Sequence, residues 1–384
     1  MIGAAAPYPS PTCQPQLTVV LPPVFYRAAK RRQLDNQFAF IFRTGIVVRD
    51  GRAAVTTMGE DIVGESGTIA NIGGLVCEDA APALGIDFGG TKIEAVLLSK
   101  DGAAAWRQRI PNPGSYDSAL TAISNLVAAA DDAGGARCTV GIGAPGSPSP
   151  RTGIMRNSNS TYLNGRPFRE DLARALGRPV RLVNDANCLA LSEAIDGAAE
   201  GAQSVFALVI GTGVGGGVVL SGAAIDGAHG IAGEIGHLPL PWPGGREADP
   251  PPCWCGLSGC IESWVSGTGF ARAAATEHGL ALSAPDIVAA ARSGDPAARA
   301  ALDAYVDRLG RVLALVVNLL DPEVIVLGGG MSNVTEIYVG LPDVVRRHTF
   351  SDLWDGRIVP ARWGDASGVR GAARLWTKDP QVGH

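Results

Sequence analysis

The chain has 384 residues, of which 46% are hydrophobic and 18% charged, with a formal net charge of −5. That length buries a sizeable core and fits two domains or lobes, and the composition excludes wholesale disorder. The acidic balance offers no overall attraction to nucleic acid or to a membrane surface, and no apolar run approaches the ~18 residues of a membrane span.

Residues 1–83 differ in texture from the rest. Prolines and alanines crowd the first dozen, and Arg27, Lys30, Arg31 and Arg32 form a basic knot. The apolar run 17–26 is broken by Pro22 and Pro23, and no basic segment precedes it as a signal peptide requires. Helical periodicity is weak and glycines interrupt most windows. The segment reads as a poorly ordered extension, or as upstream sequence translated from a wrongly chosen start, with Met58 as one internal alternative.

From residue 84 the pattern becomes regular. Residues 84–88 are a short apolar strand, Gly89-Gly90-Thr91-Lys92 a tight turn, and 93–98 a second strand. An Asp at the mouth of such a turn, Asp87, suits the Mg²⁺ of a nucleotide whose phosphates meet the backbone N–H groups; an ordinary hairpin with a surface Asp is the bland alternative. A strand at 104–110, an amphipathic helix at 115–130 and a strand at 138–143 follow. The polar run 157–165 is too rich in Asn and Ser for a core strand, so it is either a solvated turn or a set of hydrogen-bonding groups for a neutral sugar.

Residues 180–183 form a strand, and Asn184-Asp185-Ala186-Asn187 opens a helix to about 195. Asp185 there is an N-cap, a general base at a strand end, or both. The strand 204–210 leads into a glycine run, 211–217, containing Gly211, Thr212 and Gly213. Its G-x-G-x-x-G is no Rossmann turn, because a strand at 218–220 follows where that fingerprint needs a helix. Helices are expected at 269–278, 284–291 and 296–319, and a strand at 324–327. Gly328, Gly329 and Gly330 cap that strand and allow close backbone approach to a ligand, with a helix starting near Ser332. Asp365 reads as the N-cap of a closing helix. Two strand–glycine–strand units and a strand–glycine–helix unit imply two α/β lobes facing each other across a cleft.

The stretch 230–262 carries the densest chemistry. His237, Cys253, Cys255 and Cys260 make a Cys₃His set. This set suits structural Zn²⁺ with all four positions filled by protein. Such a metal pins the loop and aims Glu234 and Glu262, the carboxylates beside the ligands. A disulfide with one spare thiol is the alternative, and a poor one in the reducing cytoplasm that the cysteine usage points to.

E-x-G-H followed by C-x-C-G-x-x-G-C-x-E resembles the signature of the ROK family of sugar kinases and sugar-responsive repressors. The resemblance runs from about Leu84 to Trp376. It implies an actin-like ATPase (ribonuclease H-like) fold. The first lobe would span 84–196, joined by a C-terminal helix at 365–376, and the second would span 197–363 with the zinc loop. By the same resemblance, Asp87, Gly89, Gly90, Thr91 and Lys92 form one ATP-phosphate motif, and Gly211, Thr212 and Gly213 the other. Gly329 and Gly330 face the adenosine. Asn159, Asn184, Glu234, His237 and Glu262 hold the sugar, and Asp185 is the catalytic base. The expected activity is phosphorylation of a hexose 6-hydroxyl by ATP with Mg²⁺. Fructose, and also mannose, come first on the likeness of 157–165 to ROK fructokinases and mannokinases. N-acetylglucosamine and a sugar-responsive repressor are the alternatives. A homodimer is left open; nucleic acid and membrane are not expected partners.

ROK repressors carry a helix-turn-helix ahead of the same core. The best window for one here, 36–76, contains Gly45, Gly51, Gly59, Gly64, Gly67, Gly73 and Gly74. Each costs a helix interior up to about 1 kcal/mol. Residues 1–83 are therefore expected not to bind DNA and to be dispensable for catalysis.

Overall fold

The computed structural model describes residues 44–49, 52–57 and 81–376. The chain divides into two units, Met1–Gly74 and Leu75–His384. In the first, β1 (Thr44–Arg49) and β2 (Arg52–Thr57) pair antiparallel. This hairpin occupies part of the 36–76 window in which a helix-turn-helix would need helices. The basic residues Arg27 to Arg32, Met58 and the segment 65–76 lie outside the described residues.

The second unit is built on two five-stranded sheets of the same design. In the first, β3 (Ala83–Phe88) pairs antiparallel with β4 (Lys92–Leu98), and β4 with β5 (Ala104–Pro111). On its other side β3 runs parallel to β6 (Thr139–Ala144), and β6 to β9 (Val180–Asn184). A small hairpin, β7 (Ser147–Pro148) and β8 (Met155–Arg156), lies between them in sequence. The second sheet repeats the plan. There β10 (Ser204–Ile210) pairs antiparallel with β11 (Val214–Leu220), and β11 with β12 (Ala223–Ala224). Next to β10 run parallel β13 (Val324–Gly328) and then β14 (Arg357–Pro360). In each sheet a glycine turn joins the two central antiparallel strands.

Helices cover these sheets by their apolar faces. Ile123, Leu126, Val127 and Ala130 of α1 (Tyr116–Gly134) share a core with Ile86, Phe88 and Leu97. Their spacing of three and four residues is that of one helix face. The helix runs past the expected residue 130 because its left-handed stop is Gly135, at φ 63°. A short helix, α2 (Phe168–Leu176), precedes β9. The helix α3 (Asp185–Asp196) packs Leu189, Leu191 and Ala194 with Val205, Val219 and Val326 of the second sheet. The second core is built on α7 (Pro296–Leu320), opened by the side chain of Asp295. Around it lie α4 (Glu262–Val265), α5 (Gly267–His278), α6 (Ala284–Arg292) and α8 (Ile337–His348). The helix expected near Ser332 starts later, at Ile337. A 3-10 turn, Gly330–Asn333, comes first, with the Ser332 hydroxyl donating to the Gly329 carbonyl at 2.7 Å.

The chain closes with α9 (Ser367–Arg374), wedged between the first sheet and α3. Glycines permit this approach: a Cβ at Gly85 or Gly141 would lie 1.9 Å from a carbonyl of α9, and one at Gly371 1.7 Å from the Cys188 carbonyl of α3. Asp365 is not the N-cap expected of it. It lies within a 3-10 turn, Gly364–Ala366, that runs directly into α9, so no extended residue precedes the helix to cap it.

Glu193 of α3 ties this junction together from a fully buried position. Its carboxylate accepts from Ala198 N–H (2.7 Å), Arg362 N–H (2.9 Å), Trp363 N–H (3.2 Å) and the Ser367 hydroxyl (2.8 Å). Glu193→Ala removes the acceptor of three partly buried backbone donors and of the buried Ser367 hydroxyl, which keeps its bond to the Gly364 carbonyl at 2.9 Å; each lost bond is worth about 1 kcal/mol. The expected result is a loss of roughly 3 kcal/mol or more in denaturant unfolding, and a loss below 1 kcal/mol would show that water replaces the carboxylate.

Candidate active site

The two glycine turns occupy equivalent places in the two sheets, each joining an antiparallel pair of strands. In the first, Gly89 N–H donates to the Lys92 carbonyl at 2.9 Å. Asn112 clamps the turn from outside, donating from Nδ2 to the Gly89 carbonyl (2.7 Å) and from its backbone to the Thr91 carbonyl (2.9 Å). Tyr162 donates in turn to Asn112 Oδ1. Neither Asn112 nor Tyr162 is among the expected site residues; Tyr162 falls within the singled-out segment 157–165, and the signal for Asn112 is a polar residue directly after an edge strand. Asn159 arches over the same turn, since a Cβ at Gly90 would stand 3.8 Å from its Oδ1. The segment 157–165 is more than a solvated turn. Asn164 clamps it by exchanging hydrogen bonds with Ser158 at 2.9 Å, and Leu163 is buried.

Asp87 is the last residue but one of β3, beside the first turn. Its carboxyl is pushed up to about 7, first by burial and then by the charges of Asp185 and Glu94, with Lys92 and Arg109 opposing. A carboxylate so placed gains from a nearby cation.

Asn184, not Asp185, is the N-cap of α3. Asn184 is still extended, so its Oδ1 reaches the Ala186 N–H two residues on, at 2.9 Å. Asp185 is the first helical residue; its Oδ1 also accepts from Ala186 N–H, at 2.8 Å. The side chain is exposed at the surface, yet protein crowds around it, and this desolvation raises its pKa against the two backbone N–H groups that lower it. The charge of Asp185 is felt by Asp87 on one side and by Glu234 on the other.

The second turn is shorter than the expected 211–217. Gly215, Gly216 and Gly217 belong to β11, where a Cβ at Gly216 would meet the Gly233 carbonyl at 2.4 Å and one at Gly217 the Ala186 carbonyl at 2.3 Å. Gly216 and Gly217 serve packing, and the turn itself is Gly211, Thr212 and Gly213. The N-terminus of α5 holds that turn. Gly267 N–H donates to the Gly211 carbonyl and the Thr268 hydroxyl to the Thr212 carbonyl, both at 2.8 Å. A cavity of about 650 Å³ adjoins it, lined by Gly211, Thr212, Ala271, Pro285, Val288 and Gly330 among others. Gly329 sits behind it at φ 81°, where a Cβ would touch the Ile210 carbonyl at 2.6 Å. The walls from α5 and α6 carry ordinary helical apolar residues, so they had no distinctive sequence signal.

Glu234, His237 and Glu262 converge below. Burial raises the pKa of Glu234; His237 and Arg156 oppose the rise, while Asp185 and Glu262 add to it. Glu262 Oε2 accepts from Val214 N–H at 2.9 Å, joining the metal-type loop to the second glycine turn.

The Cys₃His set is assembled. One ligand atom from each of His237, Cys253, Cys255 and Cys260 lies within 4.8 Å of the others. Cys255 Sγ and Cys260 Sγ are 3.6 Å apart, and Cys253 Sγ is 3.7 Å from His237 Nδ1. Bonds of 2.3 Å from a tetrahedral zinc would put sulfur atoms roughly 3.8 Å apart, so the donors fit that ion. No disulfide spans them, because an S–S bond is about 2.0 Å long, and all three thiols are free.

With this geometry in place, comparison with known proteins decides the family. The ROK family model matches residues 83–379. This chain belongs to the ROK family. It is 42% identical over 300 residues to the N-acetyl-D-glucosamine kinase of Escherichia fergusonii, covering 77% of this chain and 99% of that one. It is equally similar to the enzyme of the same name from Citrobacter koseri, at 42% over 300 residues, with the same coverage. Among solved structures, the ROK hexokinase of Thermus thermophilus is 34% identical with a TM-score of 0.69, covering 77% of this chain and 97% of that one. A ROK glucokinase from Streptomyces griseus, in complex with glucose and AMPPNP, is 29% identical with a TM-score of 0.62, covering 77% and 98%. The fold is accordingly that of ROK kinases, the actin-like ATPase type. No helix among the described residues is long and apolar enough to cross a membrane.

Proposed function

We propose that this chain transfers the terminal phosphoryl group of ATP to the 6-hydroxyl of N-acetylglucosamine. The observation that carries this reading is that the chain's 42%-identical relatives are N-acetyl-D-glucosamine kinases, supported by Asp185 lying close enough for its charge to act on both Asp87 and Glu234. Fructose and mannose, expected from 157–165, find no support among those relatives and take second place.

In this reading the lobes 84–196 with 365–376, and 197–363, face each other across the bound substrates. The adenosine occupies the cavity beside Gly330. Backbone N–H groups of the turns Gly89–Lys92 and Gly211–Gly213 meet the phosphates, the largest share of phosphoryl-transfer catalysis being positioning and charge neutralisation. Mg²⁺ bound with ATP supplies further charge neutralisation, and Asp87 is the side chain to hold it. Asn159, Asn184, Glu234, His237 and Glu262 take the sugar hydroxyls. Asp185 accepts the proton of the attacking hydroxyl, a role its raised pKa suits. His237, Cys253, Cys255 and Cys260 hold a structural Zn²⁺ that sets the position of Glu262.

A coupled assay with ATP and a sugar panel tests the substrate. N-acetylglucosamine should show a kcat/KM about tenfold or more above fructose and mannose, on the order of the discrimination that pocket contacts provide. A higher value for either hexose would reverse the assignment and restore the one drawn from 157–165.

A further inference from the structure

We infer that Trp254 is a positioning residue for the sugar site, acting through Glu262. This rests on the reading that Glu262 binds sugar hydroxyls. Trp254 stands between two cluster cysteines, Cys253 and Cys255, and is 71% exposed. Exposure here does not mean freedom. Its indole Nε1–H donates to Glu262 Oε1 at 2.6 Å. Its ring meets the His237 ring edge to face, with centroids 4.9 Å apart and planes at 87°.

The consequence lies in how Glu262 is held. Oε2 accepts from Val214 N–H at 2.9 Å and Oε1 from Trp254, so donors from two separate loops grip the two oxygens. A carboxylate offers about four lone-pair sites, so roughly two stay free for sugar hydroxyls, and the two donors determine where these point. With the indole removed, Glu262 keeps one anchor and can turn about it. The backbone of Trp254 is in turn set by the ligand cysteines on either side. Trp254 is thus the link by which the geometry of the metal loop reaches a sugar ligand, while the Val214 N–H bond keeps Glu262 tied to the second turn. A small residue between the cysteines would leave the Cys₃His set intact and lose this link.

Trp254→Phe keeps a ring against His237 and deletes only the N–H donor. Because the residue is largely exposed, the change does not threaten the core. The full-length protein, purified with its metal, is assayed with N-acetylglucosamine and ATP. The expected result is a five- to tenfold rise in the KM for sugar, in the range of one lost charge-assisted hydrogen bond. The kcat should stay within about twofold, with the KM for ATP and the bound zinc unchanged. An unchanged sugar KM overturns the inference. So does a rise accompanied by loss of zinc or by an equal rise for ATP, since either means general damage to the loop. A wild-type protein inactive on every sugar would instead defeat the proposed function, an outcome distinct from both.

Discussion

Asp185→Asn is expected to lower kcat by about 10²–10⁴-fold, the usual contribution of a general base, while sugar affinity measured by calorimetry changes little. The amide is nearly isosteric, and its oxygen can keep the bond from Ala186 N–H now made by Oδ1 at 2.8 Å. The cap of α3 is untouched, because Asn184 provides it. The same substitution should leave thermal stability equal or raise it. Desolvation raises the folded-state pKa of Asp185 above its ordinary value of 3.8. Below the unfolded pKa both states are protonated and there is no penalty. As pH rises from there through the folded pKa, the unfolded carboxylate ionises first, and stability is lost. A neutral Asn escapes that loss at pH 7. A variant that binds sugar poorly, or that melts well below the wild type, would give Asp185 a structural or binding role in place of the chemical one.

Cys255→Ser is expected to release zinc and to weaken sugar binding together, at least tenfold in sugar KM, because removing a ligand typically costs metal affinity heavily. The segments that follow His237 and precede Glu262 are also tied by backbone bonds, Leu240 N–H to the Gly259 carbonyl at 3.0 Å and Ile261 N–H to the Leu238 carbonyl at 2.8 Å. Freed of the metal, the 253–255 arm moves relative to His237 and Glu262. Elemental analysis and a sugar titration on the same sample measure both effects. Full activity without metal would mean that backbone bonds alone organise the loop, and zinc would then be dispensable for the site.

What was legible in the sequence is what depends on neighbours in the chain. Strands 84–88 and 204–210 with their glycine turns, the Asn184-Asp185 pair at a strand end, and the Cys₃His spacing are local patterns, since a turn or a chelate needs its residues close together along the backbone. The two sheets of the same topology that carry them were already implied by the alternation of short strands and helices. The substrate did not follow. A segment such as 157–165 shows that hydroxyl-binding groups are present, but discrimination between a hexose and its N-acetylamino relative depends on the shape of the space around carbon 2. Other features needed the folded chain because they join residues far apart in sequence. Gly85, Gly141 and Gly371 look like weak points in two strands and a helix until α9 is seen pressed against the first sheet and α3. Asn112 and Tyr162 are unremarkable until they close over the first turn. The length of the second turn was likewise decided by tertiary contact: Gly216 and Gly217 are strand residues because two backbones pass too close for a Cβ. Local structure carried by adjacent residues was therefore readable in advance. Chemistry carried by close backbone approach, or by a side chain crossing to another loop as Trp254 does, was determined only when packing brought those surfaces together.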